Sequence, residues 1–275
     1  MHFLNLDIVA GVAATGLLAE RATGASFPGE HLPWSWWIVV PLAAWVVYTV
    51  DRLVDVQLAP AEHPTLRHQF HARHRLALIV ACGVIVIGVA VLALLTFTPA
   101  MLLAAPICAA VIVTHHLLQR VTRRHSRRPF HGTLKDLNVV LVYTFATWYI
   151  PILVGIFTVD SATVLASFML IVTAMVLQLS VSDAQSDTAL RVSSSALELG
   201  TERAALIMRL CCAAAAAFAF IPMPDDAPLI AILVLMSVCT AMLPLVFAHM
   251  QRPHARLTTE LILSLPYFLI VFPRM

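Results

Sequence analysis

Runs of about 20 apolar residues recur along the whole chain, and they limit its fold more than any other feature. A helix of that length is what crossing the hydrocarbon core of a bilayer requires. Such runs fall at roughly 3–19, 36–56, 76–96, 98–119, 136–157, 161–181, 204–221, 227–249 and 256–273. A soluble core can absorb one or two of them, but not nine. Charged residues make up 12% of the 275 and the mean hydropathy is +0.89, whereas a soluble domain is about a quarter charged. The expectation is an all-α integral membrane protein, one domain over 1–275 with nine transmembrane helices. The first run is the shortest and carries Asn5 and Asp7; lacking a basic stretch before it, it reads as a retained helix and not a signal peptide. Pro106, Pro151, Pro244 and Pro266 fall inside runs and predict kinks, which membrane helices tolerate.

The basic residues predict how such a bundle is oriented. They cluster in every second connection: Arg67, Arg73 and Arg75; Arg120, Arg123, Arg124, Arg127, Arg128 and Lys135; Arg191 and Arg203; Arg252 and Arg256. The alternate connections hold Arg21 alone, with Arg274 at the C-terminus. The basic connections and the N-terminus are therefore expected in the cytoplasm and the C-terminus outside. Lys135 is the only lysine among 17 Lys and Arg, which with abundant Ala points to a GC-rich bacterial genome and hence a bacterial cytoplasmic membrane. A net charge of +2 singles out no partner, and none of nucleic acid is expected. Cys82, Cys108, Cys211, Cys212 and Cys239 all lie within apolar runs without CxxC spacing, so they read as small apolar residues.

Against this background two acidic pairs stand out, Asp51/Asp55 in YTVDRLVD and Asp183/Asp187 in SVSDAQSD. Residues four apart share a helix face, and two adjacent carboxylates repel unless a cation or proton sits between them. A single pair is as readily an interfacial charge. Two matching pairs, ending spans 2 and 6 on one side of the membrane, suggest a shared site for Mg²⁺ and a polyphosphate. Mg²⁺ favours one or two carboxylates together with phosphate oxygens. An allylic diphosphate needs such help, because its leaving group departs with several negative charges that metal ions and basic side chains stabilise. Arg52 lies inside the first motif, Arg191 follows the second by one turn, and Lys135 opens span 5; these are the candidate phosphate contacts.

The segments VYTVDRLVD, SDAQSD and LKDLN, in a nine-span frame, resemble the UbiA superfamily of intramembrane prenyltransferases over essentially the whole chain. The resemblance implies Asp51, Asp55, Asp183 and Asp187 as metal-binding carboxylates in a cytoplasmic-side cavity. It also implies Mg²⁺-dependent ionisation of a prenyl diphosphate and transfer of the prenyl group to a lipophilic acceptor. Some relatives cyclise the chain instead. The family's first motif usually reads NxxxDxxxD and its second YxxxKxxxDxxxD; here those extra positions are Val47, Met175 and Leu179. Lys135 and Asn138, one turn apart on the same face of span 5, are together the candidate substitutes for the absent polar groups.

The prenyl chain would need an apolar tunnel, and its cation would be favoured by aromatic faces. Tyr48, Tyr143, Trp148 and Tyr149 are the candidates, ordinary packing being the alternative. No acceptor base is evident; Asp7 and Glu260 are the acidic possibilities. His63, His68, His71 and His74 stand among Arg67, Arg73 and Arg75. They read as a cationic lid or an anionic-lipid patch, because their spacing does not gather a zinc site on one helix face. Three functions stay open: prenyltransferase, UbiA-type terpene cyclase, and a non-catalytic membrane binding or transport protein. The motif run of CDP-alcohol phosphotransferases is absent.

Overall fold

The computed structural model of the chain describes residues 5–25, 29, 31–58, 66–124, 131–190, 193–221, 226–247, 258 and 261–270. Among these the architecture is wholly helical. The order is α1 (Leu6–Ala22), α2 (Trp36–Leu58), α3 (Leu66–Arg73), α4 (Arg75–Thr96), α5 (Pro99–Leu102), α6 (Ala104–Arg124), α7 (His131–Val154), α8 (Val159–Leu190), α9 (Ser195–Leu199), α10 (Thr201–Ala219) and α11 (Ala227–Phe247). A 3₁₀ turn over Leu265–Ile270 follows.

Five of these helices contain segments long and apolar enough to cross a membrane: Trp36–Val54, Arg75–Thr96, Gly132–Val154, Val159–Gln185 and Ala227–Leu245. They coincide with five of the expected spans, and they mark the chain as a membrane protein. Helices also occupy three other expected spans, for reasons that leave them weaker candidates. α1 has 17 residues and carries Asp7, Glu20 and Arg21. α10 carries Glu202, Arg203 and Arg209. The fourth run is split, α5 and α6 being separated at Leu103, and its apolar stretch covers Pro99–Thr114. α7 and α11 continue through Pro151 and Pro244.

Burial sorts the helices. The apolar span of α8 is 56% buried and that of α4 only 11%, so α8 lies at the centre and α4 at the rim. Val84, Ile87 and Leu94 are each about two-thirds exposed on α4, an arrangement that water penalises and lipid does not. α10 runs closely along α8 because its contact residues are small: Ala204, Ala215 and Ala219 are buried, and Ser167 Oγ donates to the Ala215 carbonyl at 3.1 Å. The core joins Leu18 of α1, Trp148 of α7, Phe168 and Met175 of α8, and Met236 of α11. At Gly16 an added methyl group would collide with the buried indole of Trp36, so glycine is what lets α2 start against α1.

Cross-helix hydrogen bonds assign the helix ends to two faces. At one face Ile156 N donates to Thr23 O (2.9 Å), Ser161 Oγ donates to Ala22 O (2.8 Å), and Arg21 pairs with Asp226. The ends of α1 and α7 and the starts of α8 and α11 therefore meet there. At the other face Asn5 Nδ2 donates to Thr49 Oγ1 (3.4 Å), bringing the start of α1 to the end of α2. There too Ser195 N donates to Asp136 Oδ2 (3.0 Å), bringing the segment after α8 to the start of α7.

Candidate functional site

Both acidic pairs lie at this second face. α8 has 32 residues, roughly 48 Å at 1.5 Å per residue, against a hydrocarbon thickness of about 30 Å. Its apolar span ends at Gln185, so Asp187 lies in the turn beyond that span, with Asp183 one turn earlier. Burial pushes the Asp187 carboxyl up from an ordinary 3.8 to about 6. Lys135 draws it back down, the facing Ser194 hydroxyl does the same, and the charges of Asp183 and Asp136 push it up. Two helices and the segment leading into α9 thus converge on one carboxylate. Lys135 Nζ is 3.8 Å from Asp136 Oδ1, the two side chains being 17% and 13% exposed.

The end of α2 repeats this pattern with different chemistry. Arg52 Nη1 is 3.8 Å from Asp51 Oδ2, and Arg52 Nη2 donates to the Tyr48 hydroxyl at 3.1 Å. The guanidinium carbon also sits 4.8 Å above the centre of the Tyr48 ring. Asp51 Oδ1 is buried and accepts no hydrogen bond among the described residues. The side chain of Asp55, and Arg191 and Glu260 altogether, lie outside the described residues.

These residues suit a hard divalent cation in two respects. Their donors are carboxylate oxygens, and Asp51 Oδ1 is an orphaned buried acceptor whose desolvation a cation would offset. Burial and like charges make ionising Asp187 costly, a cost that a bound cation relieves. Among the described residues no three His, Cys, Asp or Glu side chains converge on one point. One acidic half-site stands at the end of α2 and another at the end of α8, and α1 packs against both helices.

The remaining expected residues divide. Tyr48 belongs to the α2 half-site. The Tyr143 hydroxyl is 3.0 Å from Thr15 Oγ1, and its ring stacks on Phe168. Trp148 is 1% exposed, with its ring 5.9 Å from that of Phe168. Tyr149 donates to the Ala100 carbonyl at 2.8 Å and packs against the cluster of Leu32, Trp36, Met101 and Ile150. It stands 14 residues beyond Lys135, about 21 Å along α7, near the opposite face. Trp148 and Tyr149 thus serve packing, while Tyr143 occupies the middle of the bundle. Asn138 does not accompany Lys135 to α8: its Nδ2 donates to the Val111 carbonyl of α6 at 3.3 Å. There it borders a cavity of about 410 Å³ lined by Val111, Thr114, Val142 and Phe145. Met175, where the resembling family often has tyrosine, is packed in the core. His71 is buried on α3 (1% exposed), so the histidine segment is not a uniformly solvent-facing lid.

Two carboxylates gain importance from the structure alone. Asp136 was within reach of sequence reasoning, since it sits in the LKDLN segment beside Lys135. Glu198 left a misleading trace. SALE, residues 195–198, fits the S-x-x-E pattern of a helix capping box. Its glutamate instead accepts from Gly132 N (2.5 Å) and Thr133 N (2.9 Å) at the start of α7. Burial alone would raise its pKa, but these bonds, with those from the Ser193 and Thr133 hydroxyls, outweigh burial and lower it.

No protein-family model matches the chain, and no curated protein shows significant similarity to it. A functional reading therefore stands on the residues and their arrangement.

Proposed function

We propose that the protein is a Mg²⁺-dependent enzyme of the UbiA kind, which ionises an isoprenyl diphosphate and transfers the prenyl group to a lipophilic acceptor. The observation that carries this reading is the convergence of Lys135 with Asp183 and Asp187 at the end of α8, on the same face as Asp51. The full architecture proposed is nine spans in a bacterial cytoplasmic membrane, N-terminus inside and C-terminus outside. The alternation of basic connections then puts the acidic face in the cytoplasm.

In this reading Asp51 with Asp55, and Asp183 with Asp187, would hold the metal. When bound, Mg²⁺ supplies Lewis-acid stabilisation of the departing pyrophosphate. Lys135 and Arg52 meet phosphate oxygens as charge builds on them. The allylic C–O bond breaks with its electron pair leaving on pyrophosphate. The acceptor then forms a bond to the prenyl carbon and releases a proton. Tyr48 offers an aromatic face one turn from Asp51, and the Arg52 guanidinium covers it.

The test is to incubate the purified protein with Mg²⁺ and prenyl diphosphates of several lengths, with and without quinone- or phenol-like acceptors. Pyrophosphate release that requires an acceptor is the expected result. Release without one, accompanied by a new hydrocarbon or alcohol, would reassign the protein as a terpene cyclase. Release indifferent to EDTA and to Asp51→Ala would end the metal-site reading and favour a non-catalytic membrane protein.

A further inference from the structure

The start of α7 and the segment after α8 are fastened together by a set of contacts that the proposed chemistry does not itself use. Glu198 Oε1 accepts from Gly132 N at 2.5 Å and from Ser193 Oγ at 2.7 Å. Its Oε2 accepts from Thr133 N and Thr133 Oγ1, both at 2.9 Å. One carboxylate thus fills its four acceptor positions, and it does so at the positive end of the α7 dipole. Asp136 returns the connection by accepting from Ser195 N at 3.0 Å. Gly132 is indispensable to the approach, because a Cβ there would overlap the backbone of Ser194. On the other side Ala196 N donates to Ser180 Oγ of α8 at 2.9 Å. The short α9 is therefore held to α7 and α8 at once.

Lys135 and Asp187 stand on the two helices so joined. Lys135 is three residues after Gly132, about 4.5 Å along the axis, and Asp187 is one turn from the end of α8. We propose that Glu198 is a positioning residue of the candidate site: by binding the first backbone N–H groups of α7, it sets where Lys135 stands relative to the Asp183/Asp187 pair. This rests on the reading of that site as a metal and polyphosphate site. Glu198 itself touches neither reacting group. It acts through Lys135.

A double-mutant cycle on the full-length protein in detergent tests this, with Mg²⁺ and inorganic pyrophosphate as the probe. Glu198→Gln replaces the oxygen that serves Thr133 with an amide donor. It is expected to weaken pyrophosphate binding about tenfold, the worth of one to two hydrogen bonds, and to speed hydrogen exchange at Gly132 and Thr133. Lys135→Ala is expected to weaken binding by more. If Glu198 acts through Lys135, adding Glu198→Gln to Lys135→Ala costs less than about twofold, whereas a merely structural role leaves the two effects additive. Thr133→Val, which deletes one hydroxyl contact and keeps the backbone, should shift binding two- to threefold in the same direction. It carries the test if Glu198→Gln fails to fold. Wild-type-like binding in Glu198→Gln and Thr133→Val, or additivity, overturns the role of Glu198 and leaves the site reading intact. Absence of pyrophosphate binding by the wild type overturns both.

Discussion

Arg21 and Asp226, 205 residues apart, form a two-point ion pair in the interior: Nε to Oδ2 at 2.7 Å and Nη2 to Oδ1 at 3.0 Å, with side chains 6% and 0% exposed. Asp226 Oδ1 also accepts from Leu229 N at 3.3 Å, capping the start of α11. The one arginine of connections otherwise without Lys or Arg is thus neutralised, and its presence does not disturb the alternation of basic loops. Beside it the Glu20 carboxylate accepts from the backbone N–H groups of Gly29, His31 and Leu32, so the chain entering α2 is tied to the same corner.

Breaking this pair on one side strands a buried charge. Arg21→Ala or Asp226→Ala should each destabilise the protein by about 3–5 kcal/mol, while the apolar double variant Arg21→Met/Asp226→Leu should recover most of the loss. Thermal unfolding in a fixed detergent measures both. Single variants as stable as the wild type would contradict the buried pairing.

At the opposite face the prediction concerns turnover. Asp51→Ala and Asp187→Asn should each reduce Mg²⁺-dependent pyrophosphate release at least a hundredfold, and Lys135→Ala about 10- to 100-fold, the scale seen when one group stabilising developing charge is removed. Steady-state assays with a prenyl diphosphate read this directly. Folding of each variant is checked by its unfolding temperature.

The Asp187 carboxyl, pushed up to about 6 mainly by burial, makes the site sensitive to acid. Divalent cations bind the carboxylate, so Mn²⁺ affinity should be nearly constant above about pH 7 and fall as pH drops through 6. Stability runs the other way in metal-free protein. The folded-state value lies above the ordinary 3.8, so ionising Asp187 costs the folded state, and its contribution declines as pH rises from about 4 to 6. Asp187→Asn should remove both dependences.

Glu198 has the opposite sign. Its hydrogen bonds to Gly132, Thr133 and Ser193 lower its pKa, so the stability it adds is present above the ordinary 4.5 and is lost as pH falls through the depressed value. The protection of Gly132 and Thr133 from hydrogen exchange, taken relative to the intrinsic rate at each pH, should fall on acidification in the wild type and be nearly indifferent to it in Glu198→Gln.

Two of the three tyrosines in the expected aromatic set, Tyr48 and Tyr149, should separate cleanly. Tyr149→Phe removes a hydroxyl bonded to Ala100 near the far face and should leave pyrophosphate release within about twofold, at a stability cost of about 1 kcal/mol. Tyr48→Phe removes the oxygen that orients Arg52 beside Asp51 and should slow release several-fold. Equal effects would contradict the placement of Tyr149 away from the site.

The helices that span 36–54, 75–96, 132–154, 159–185 and 227–245 follow from the chain alone, because the length and apolarity a bilayer demands are local properties of a sequence. The DxxxD spacing is local in the same way: it places Asp183 and Asp187 on one face of α8 whatever surrounds them. Which partners those carboxylates meet is not local. That Lys135 faces α8 while Asn138, three residues on, bonds to α6 depends on how three helices pack, and so does the conversion of Trp148 and Tyr149 into packing residues. The SALE segment shows the limit most clearly. Its spacing is that of a helix capping itself, yet Glu198 caps α7, some 65 residues earlier in the chain, because packing brought unsatisfied backbone N–H groups within reach of a carboxylate. Helix identity is settled by neighbours along the chain, whereas the pairing of charges is settled by whichever helix ends the packing brings together.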